Sequence, residues 1–449
     1  MARTSNLGTV SMRQERIATL ARQSPTMGFT SLAYFIDEDW LTEAYRRTRK
    51  DGVPGVDNRT AEDYAADLEA NLQSLLDRAK SGLYRAPAVK RVHIPKGSGP
   101  ETRPIGIPTF EDKVLQRAVT MVLEAVYEQD FLDCSYGFRP GRSPHQALEA
   151  FRDRMMSMRG GWVLELDIEK FFDHLDHRHL RDFLGHRIRD GVLRRLIGKW
   201  LNAGVLEDGC LTYPTSGSPQ GGVISPMLSN VYLHYVLDGW FEQEVRPRMQ
   251  GEAFLIRFAD DAVMGFSREQ DARRVLEVLP KRFSRYGLKL HPTKTRLVAF
   301  ERPAREGPPR GPGRREGPET FELLGFTHYW GRSRRGSWVI QRKTACRRLS
   351  RATRALNDWC RRHRHEKARS QHQALYRKLQ GHYAYYGITG NYASLHRFYE
   401  AARRIWKKWL GRRSQRAHFD WPQFERLLQR YALPRPRVVH SIYRSAANP

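Results

Sequence analysis

Apolar positions recur at helical spacing through residues 1–85, with Ala61, Tyr64, Leu68, Leu72 and Leu75 forming one stripe that predicts a packing helix. Between Arg91 and Pro108 the pattern shortens to two strand-like runs joined by a Gly/Pro turn, a hairpin whose flank carries Lys96 and Arg103. A helix over 112–127 follows. The Gly/Pro-marked loop Ser135-Tyr-Gly-Phe-Arg-Pro-Gly-Arg-Ser143 then opens another helix. A strand over 162–168, helices from about 174 to 202 and the Pro/Gly-rich segment Thr215–Pro226 come next. Two further apolar runs meet at a pair of acids in Phe254-Leu-Ile-Arg-Phe-Ala-Asp-Asp-Ala-Val-Met-Gly-Phe266, which predicts a second hairpin with Asp260 and Asp261 at its tip. A helix over about 268–286 and a strand near 294–300 complete this part. Strands and helices alternate without the regular spacing of a doubly wound sheet, so the fold class is α+β.

Residues 302–318 are rich in Arg, Gly and Pro and predict a loop. From 341 to 449 the pattern is mostly helical and crowded with Arg and His. Phe398, Ala402, Ile405 and Trp409 make an apolar stripe from which Arg403, Arg404, Lys407 and Lys408 face away. A helical nucleic-acid-binding domain is expected here, ending in a less regular basic tail after Arg413.

Composition narrows the class of partner. The 449 residues hold 77 Lys plus Arg against 49 Asp plus Glu, a net charge of +28, so the surface attracts polyanions with steep salt dependence. Nucleic acid is the simplest such partner. No window approaches about 18 uncharged apolar residues, and mean hydropathy is −0.66, so the case for a membrane partner is weak. Four cysteines, none in a Cys-x-x-Cys pair, give neither a disulfide framework nor a zinc module, and a reducing cytoplasm fits.

An Asp-Asp pair at a turn is ordinarily a turn signal alone. Here both acidic sites, Asp260–Asp261 and Asp167, lie in apolar runs where unpaired carboxylates are costly without a cation. Three such acids suit divalent metal and phosphoryl transfer. Lys96 and Arg103 are spaced to reach a triphosphate, and Pro219-Gln220-Gly221-Gly222 lets a backbone approach a nucleotide closely; each alone equally suits a solvated charge or a plain turn.

The ordered blocks Asp51-Gly-Val-Pro-Gly-Val-Asp57, Arg103-Pro-Ile-Gly-Ile-Pro-Thr109, Ser135–Ser143, Asp167-Ile-Glu-Lys-Phe-Phe-Asp173, Ser218-Pro-Gln-Gly-Gly-Val-Ile-Ser-Pro226, Phe258-Ala-Asp-Asp261, His291-Pro-Thr-Lys-Thr295 and Leu323-Leu-Gly-Phe326 resemble the reverse transcriptases encoded by group II introns, the intron maturases, over nearly the whole chain. The resemblance implies a right-hand polymerase. An N-terminal helical extension and the start of the fingers would span 1–85, fingers and palm 86–335, a helical thumb (maturase) 336–413 and a basic DNA/RNA-binding tail 414–449. It implies an RNA-directed DNA polymerase that binds its intron RNA, assists splicing and copies the intron into target DNA from dNTPs. Asp167, Asp260 and Asp261, with the Ile168 carbonyl, would hold two Mg²⁺ ions, which Mn²⁺ could replace.

By the same resemblance Lys96, Arg103 and Gln220 contact the nucleotide, Phe172 excludes a ribose 2′-oxygen and Lys294 neutralises the pyrophosphate. Arg139, Arg142, Gly325, Tyr385, Arg403, Arg404, Lys407 and Lys408 would meet nucleic acid, with Leu323–Phe326 supporting the primer end. The aromatics Tyr383, Tyr385, Tyr386, Tyr392, Trp406 and Trp409, interleaved with the charges, would stack on RNA bases. Phe258 stands where tyrosine is usual, and no cysteine-rich endonuclease block follows Arg413, so a borrowed primer and a cytoplasmic, nucleoid-associated setting are expected. An intron-independent polymerase of the same lineage (defence, repair or CRISPR-linked), a non-enzymatic splicing factor and an RNA-copying RNA polymerase are the competing readings. Oligomeric state is not legible.

Overall fold

The computed structural model describes residues 5–95, 102–207, 209–213, 217, 221–303, 319–413 and 419–441. The chain divides into two compact units, 1–151 with 162–297, and 152–161 with 298–449.

In the first unit, the central element is the helix Phe110–Tyr127, capped by Thr109 and buried along nearly its whole length. The helices Ser5–Gln23 and Glu38–Arg47 pack on it, and Trp40, fully buried, donates its indole N–H to the Ala118 carbonyl at 3.0 Å. The stripe expected around residues 61–75 is real but broken: Ala61–Ala65 and Leu68–Ser81 are separate helices. The first sheet of this unit is built from β1 (Val89–Pro95), β2 (Thr102–Ile107), β4 (Val205–Glu207) and β5 (Cys210–Thr212) in the order β2-β1-β4-β5. The predicted hairpin pairs Arg91 with Gly106, and Lys96 at its turn lies outside the described residues.

The second sheet of this unit contains β3 (Gly160–Leu166), β6 (Ala253–Phe258) and β7 (Asp261–Phe266) in the order β6-β7-β3. Consecutive residues of β6 and β7 are buried, so both faces of these strands are covered, and the helix Glu269–Arg285 follows. β8 (Arg296–Glu301) carries the chain out of the unit, with Arg296 paired to Glu165 near its start. Between β5 and β6 runs a helical stretch that periodicity alone did not reveal, Ser225–Leu233 continuing through π-helical turns at His234–Asp238 and Phe241–Val245.

One buried carboxylate ties several of these elements together. Asp112 accepts from Tyr84 Oη at 2.5 Å, Trp200 Nε1 at 2.7 Å and Gln116 Nε2 at 3.0 Å, while Gln116 Oε1 accepts from the Ile224 amide at 3.2 Å. That chain fixes the entrance to the Ser225 helix relative to the central helix.

The second unit holds β9 (Phe321–Leu323), β10 (Phe326–Arg332) and β11 (Trp338–Thr344) in the order β11-β10-β9, then helices Cys346–Arg362, Ala368–Tyr386, Tyr392–Leu410 and Trp421–Arg430. Leu356, Leu375, Leu379, Tyr383, Leu395, Phe398, Ala402 and Trp406 form its core. Two expectations change. The segment after Arg413 is not irregular throughout, since Phe424 and Leu433 close the same core; and Trp406, not Trp409, takes the fully buried position on its helix. Residues 304–318 of the Gly/Pro-rich stretch lie outside the described residues.

Burial, opposed by its three hydrogen bonds, pushes the Asp112 carboxyl up to about 6. The folded state therefore holds this proton more tightly than the unfolded chain. The resulting stabilisation is complete below about pH 4 and is lost as pH rises through about 6. Asp112→Asn should remove a pH-dependent loss of about 2–3 kcal/mol across that window, seen as a flatter thermal midpoint between pH 4.5 and 7.5 than in the parent protein. Parallel curves for the two proteins would contradict the assignment.

Candidate active site

Register brings the three predicted acids to one end of the β6-β7-β3 sheet. β3 pairs antiparallel with β7, Leu166 opposite Ala262, and one further step sets Asp167 beside Asp261. Directly opposed residues on such strands are about 4.5–5.5 Å apart at Cα. β6 and β7 are joined by only Ala259 and Asp260, between the paired residues Phe258 and Asp261. Ala259 has φ +57°, a conformation glycine customarily supplies at the first turn position. An alanine there is strained by about 1–2 kcal/mol.

The surroundings hold that turn in place. A Cβ on Gly137 would lie 2.2 Å from the Ala259 nitrogen, so the Ser135–Ser143 block lies directly against the hairpin tip. Asp167 is anchored by the His291–Thr295 block: its carbonyl accepts from the His291 amide at 2.8 Å and its amide donates to Thr295 Oγ1 at 3.4 Å. Its carboxylate meets Lys294 Nζ at 3.2 and 3.3 Å, a half-exposed pair worth less than about 1 kcal/mol. The pair's meaning is positional.

Burial raises the Asp260 carboxyl above its usual range. The Asp167 charge adds to the rise, while Arg103 and Arg257 oppose it. Asp167, Asp260 and Arg103 therefore share one electrostatic field, although they come from three separated blocks. Ile168 is buried in a bridge to Leu290, with the Glu169 amide donating to the Lys289 carbonyl at 2.8 Å. Phe172 is half-buried, edge-on to Phe171 at 5.4 Å. Two glycines make close backbone approaches: a Cβ at Gly217 would meet the Phe172 carbonyl at 2.8 Å, and one at Gly221 the Gly106 carbonyl at 2.5 Å. Gln220 itself lies outside the described residues.

Other predicted contacts are placed differently from expectation. Arg139 is buried, donating to Glu128 and to the carbonyls of Leu132 and Ser135, so its guanidinium serves the fold and has no reach to a phosphate. Arg142 pairs with Asp133 at 2.6 Å across the Tyr136 ring. In the second unit, Tyr385 donates to the Leu324 carbonyl at 2.8 Å and so shapes the turn in which Gly325 has φ +81°. Arg403 is held by Glu400 and Glu425, and Lys407 donates to the Phe419 carbonyl at 3.0 Å, whereas Arg404 and Lys408 face solvent. Tyr383 and Trp406 are too deeply buried to stack on bases; Tyr392 is exposed.

Among the described residues no three His, Cys, Asp or Glu side chains close into a metal cage. The donor set still fits a hard divalent ion. Mg²⁺ takes oxygen ligands, retains waters and substrate phosphates, and asks for one or two carboxylates from the protein. The residues that sequence reasoning missed are those behind the acids, Gly137, Asn230, Asp238 and Arg257. Their available signal was an arginine inside the apolar run Phe254–Phe258, where a charge is buried only with partners.

Residues 94–328 match the family described as reverse transcriptase (RNA-dependent DNA polymerase), and the chain belongs to that family. Its members use divalent metal ions. Among individual relatives, protein YkfC of Escherichia coli (strain K12) is 38% identical over 232 residues, 50% of this chain and 61% of its own length. The group II intron-encoded protein LtrA of Lactococcus lactis subsp. cremoris is 37% identical over 224 residues, 49% of this chain and 37% of its own. Nuclear intron maturase 1, mitochondrial, of Arabidopsis thaliana is 31% identical over 91 residues, 20% and 12% of the two chains. The chain thus spans less than two thirds of each of these relatives.

Gly137→Ala should lower primer extension about a hundredfold, because its methyl displaces the Ala259 turn on the scale at which misplacement costs that much. Circular dichroism should show the fold retained. A variant with parental activity would contradict the close approach of Gly137 to the hairpin.

Proposed function

We propose that this chain synthesises DNA on an RNA template, with Asp167, Asp260 and Asp261 as the acids that hold two Mg²⁺ ions, and that its RNA is a group II intron whose splicing it assists and which it copies during retrohoming. The observation that carries the catalytic part is the convergence, by strand register, of Asp167 with the Asp260–Asp261 tip. Bound there, the divalent ions would supply a lowered pKa for the primer 3′-hydroxyl and neutralisation of charge at phosphorus. Arg103, which acts electrostatically on Asp260, would meet the triphosphate, and Lys294, paired with Asp167, would neutralise the departing pyrophosphate. Phe172, beside the turn that follows Asp167, would meet a ribose 2′-oxygen and so favour dNTPs. The intron part rests on the likeness to the two intron proteins and on the net charge of +28.

Extension of a DNA primer on an RNA template with Mg²⁺ and dNTPs should fall by about three orders of magnitude or more in Asp260→Ala, the loss expected when several kcal/mol of charge stabilisation disappears. Equal product from parent and variant would sink the catalytic assignment. Phe172→Ala should admit rNTPs about tenfold or more better than the parent; unchanged sugar discrimination would remove Phe172 from the pocket. RNA recovered with the protein from its native source should be enriched in a structured intron surrounding its own gene. Recovery of unrelated RNA without enrichment would leave a polymerase with some other task.

A further inference from the structure

The charge inside the apolar run of β6 is Arg257, and neither it nor its partner Asp238 has any exposed side-chain surface. All five N–H donors of the guanidinium have acceptors. Nε and Nη2 form a fork on the two Asp238 oxygens at 2.7 and 2.6 Å, and Nη2 also donates to Ser135 Oγ at 2.7 Å. Nη1 donates to Asn230 Oδ1 at 2.9 Å and to the Ala259 carbonyl at 3.0 Å. Ala259 is the strained residue of the hairpin turn, directly before Asp260.

Asn230 extends the grip. Its Nδ2 donates to the Gly137 carbonyl at 2.7 Å, and Gly137 is the residue packed against the Ala259 nitrogen. The Arg257 backbone joins the same loop, its amide donating to the Cys134 carbonyl at 2.7 Å and its carbonyl accepting from the Tyr136 amide at 2.8 Å. The turn is thus held from both sides.

Helix geometry shows that this convergence depends on a local departure from regular structure. Asn230 and Asp238 are eight residues apart on one helical stretch, and at about 3.6 residues per turn they would differ by roughly 80° in direction. The π-helical turn His234–Asp238 absorbs the surplus residue and brings both side chains to Arg257. A buried ion pair is weak evidence for stability, since apolar residues of similar volume often serve as well. Apolar residues could not make a directed bond to the Ala259 carbonyl.

We propose that Arg257, with Asp238 and Asn230, positions the hairpin turn, fixing the backbone from which Asp260 and Asp261 project without itself touching substrate. The proposal rests on the assignment of those two acids as catalytic.

Two variants test it in the full-length protein. Arg257→Lys keeps the charge but loses the fork and most of the directed bonds; Asn230→Ala leaves the Arg257–Asp238 pair in place and removes the tie to Gly137. In single-turnover incorporation from a preformed primer–template complex, the rate constant should fall about thirtyfold in the first and about tenfold in the second, as for a small misplacement of reacting groups. The burst amplitude, which counts folded active molecules, should stay within about twofold of the parent's if the fold is intact. With divalent ions removed, deuterium exchange should accelerate at residues 259–262 and stay unchanged in the helix Phe110–Tyr127. A parental rate constant with a reduced amplitude, or exchange rising throughout the unit, would overturn the proposal in favour of a general stabilising role. Should Arg257→Lys fail to fold, Asn230→Ala decides alone. Asp260→Ala run alongside separates the two assignments: full activity there removes the catalytic reading, whereas an inactive Asp260→Ala beside unaltered Arg257→Lys and Asn230→Ala removes only the positioning role.

Discussion

The buried pairing of Arg257 with Asp238 is the constraint around which the first unit is arranged. An unpaired charge of either sign at that depth would cost several kcal/mol even after relaxation, so each of the two groups requires the other. The pairing fixes more than two side chains. β6 supplies the arginine, the Ser225–Val245 helical stretch supplies Asp238 and Asn230, and the Ser135–Ser143 loop supplies Ser135 and the Gly137 carbonyl. Three segments distant in sequence are therefore brought together before any substrate is considered. The π-helical turn and the positive φ of Ala259 are irregularities that persist because this network over-determines them.

Against that backing, Asp260 at the hairpin tip is held where burial opposes its charge. Burial is what pushes Asp260 up; Asp167 adds to the rise, but the Arg103 charge alone outweighs that repulsion and Arg257 opposes it further. Lys294 pairs with Asp167. Such a cluster gains most from a divalent cation, which explains why a family that uses divalent metal can place carboxylates on adjacent strand ends. The glycines at 217 and 221 each bring backbone within a distance that no side chain would tolerate, Gly217 against the Phe172 carbonyl and Gly221 against the Gly106 carbonyl.

Much of this was legible in the chain. The apolar runs at 162–168 and 254–266 became β3, β6 and β7, and the hairpin at 91–108 became β1 and β2, because short apolar runs bounded by turn residues leave few alternatives. Asp167 and the Asp260–Asp261 pair stood out as acids in apolar surroundings. Arg257 was equally visible by that rule, but its partners Asn230 and Asp238 lie on a helical stretch whose π turn breaks the periodicity by which helices are recognised. Arg139 misled in the opposite sense. The family resemblance implied a nucleic-acid contact for it, and only the tertiary fold shows carbonyls of 132 and 135 and Glu128 converging on it.

The second unit shows how far a net charge can be translated into a surface. Its arginine- and lysine-rich helix Tyr392–Leu410 directs Arg403 to Glu400 and Glu425, and Lys407 to the Phe419 carbonyl beneath the Trp421 ring, so these two charges fasten the helix Trp421–Arg430 and its approach to the core. Arg404 and Lys408 on the same helix remain turned to solvent. A polyanion on this face would thus meet about half of the charge that the sequence suggests, with Tyr392 as an exposed aromatic at the helix start. For an RNA-binding role of the kind proposed, affinity would then come from many scattered phosphate contacts, each contributing to the salt dependence and none dominating it. Specificity would have to come from the shape of the RNA rather than from a single arginine reading one base.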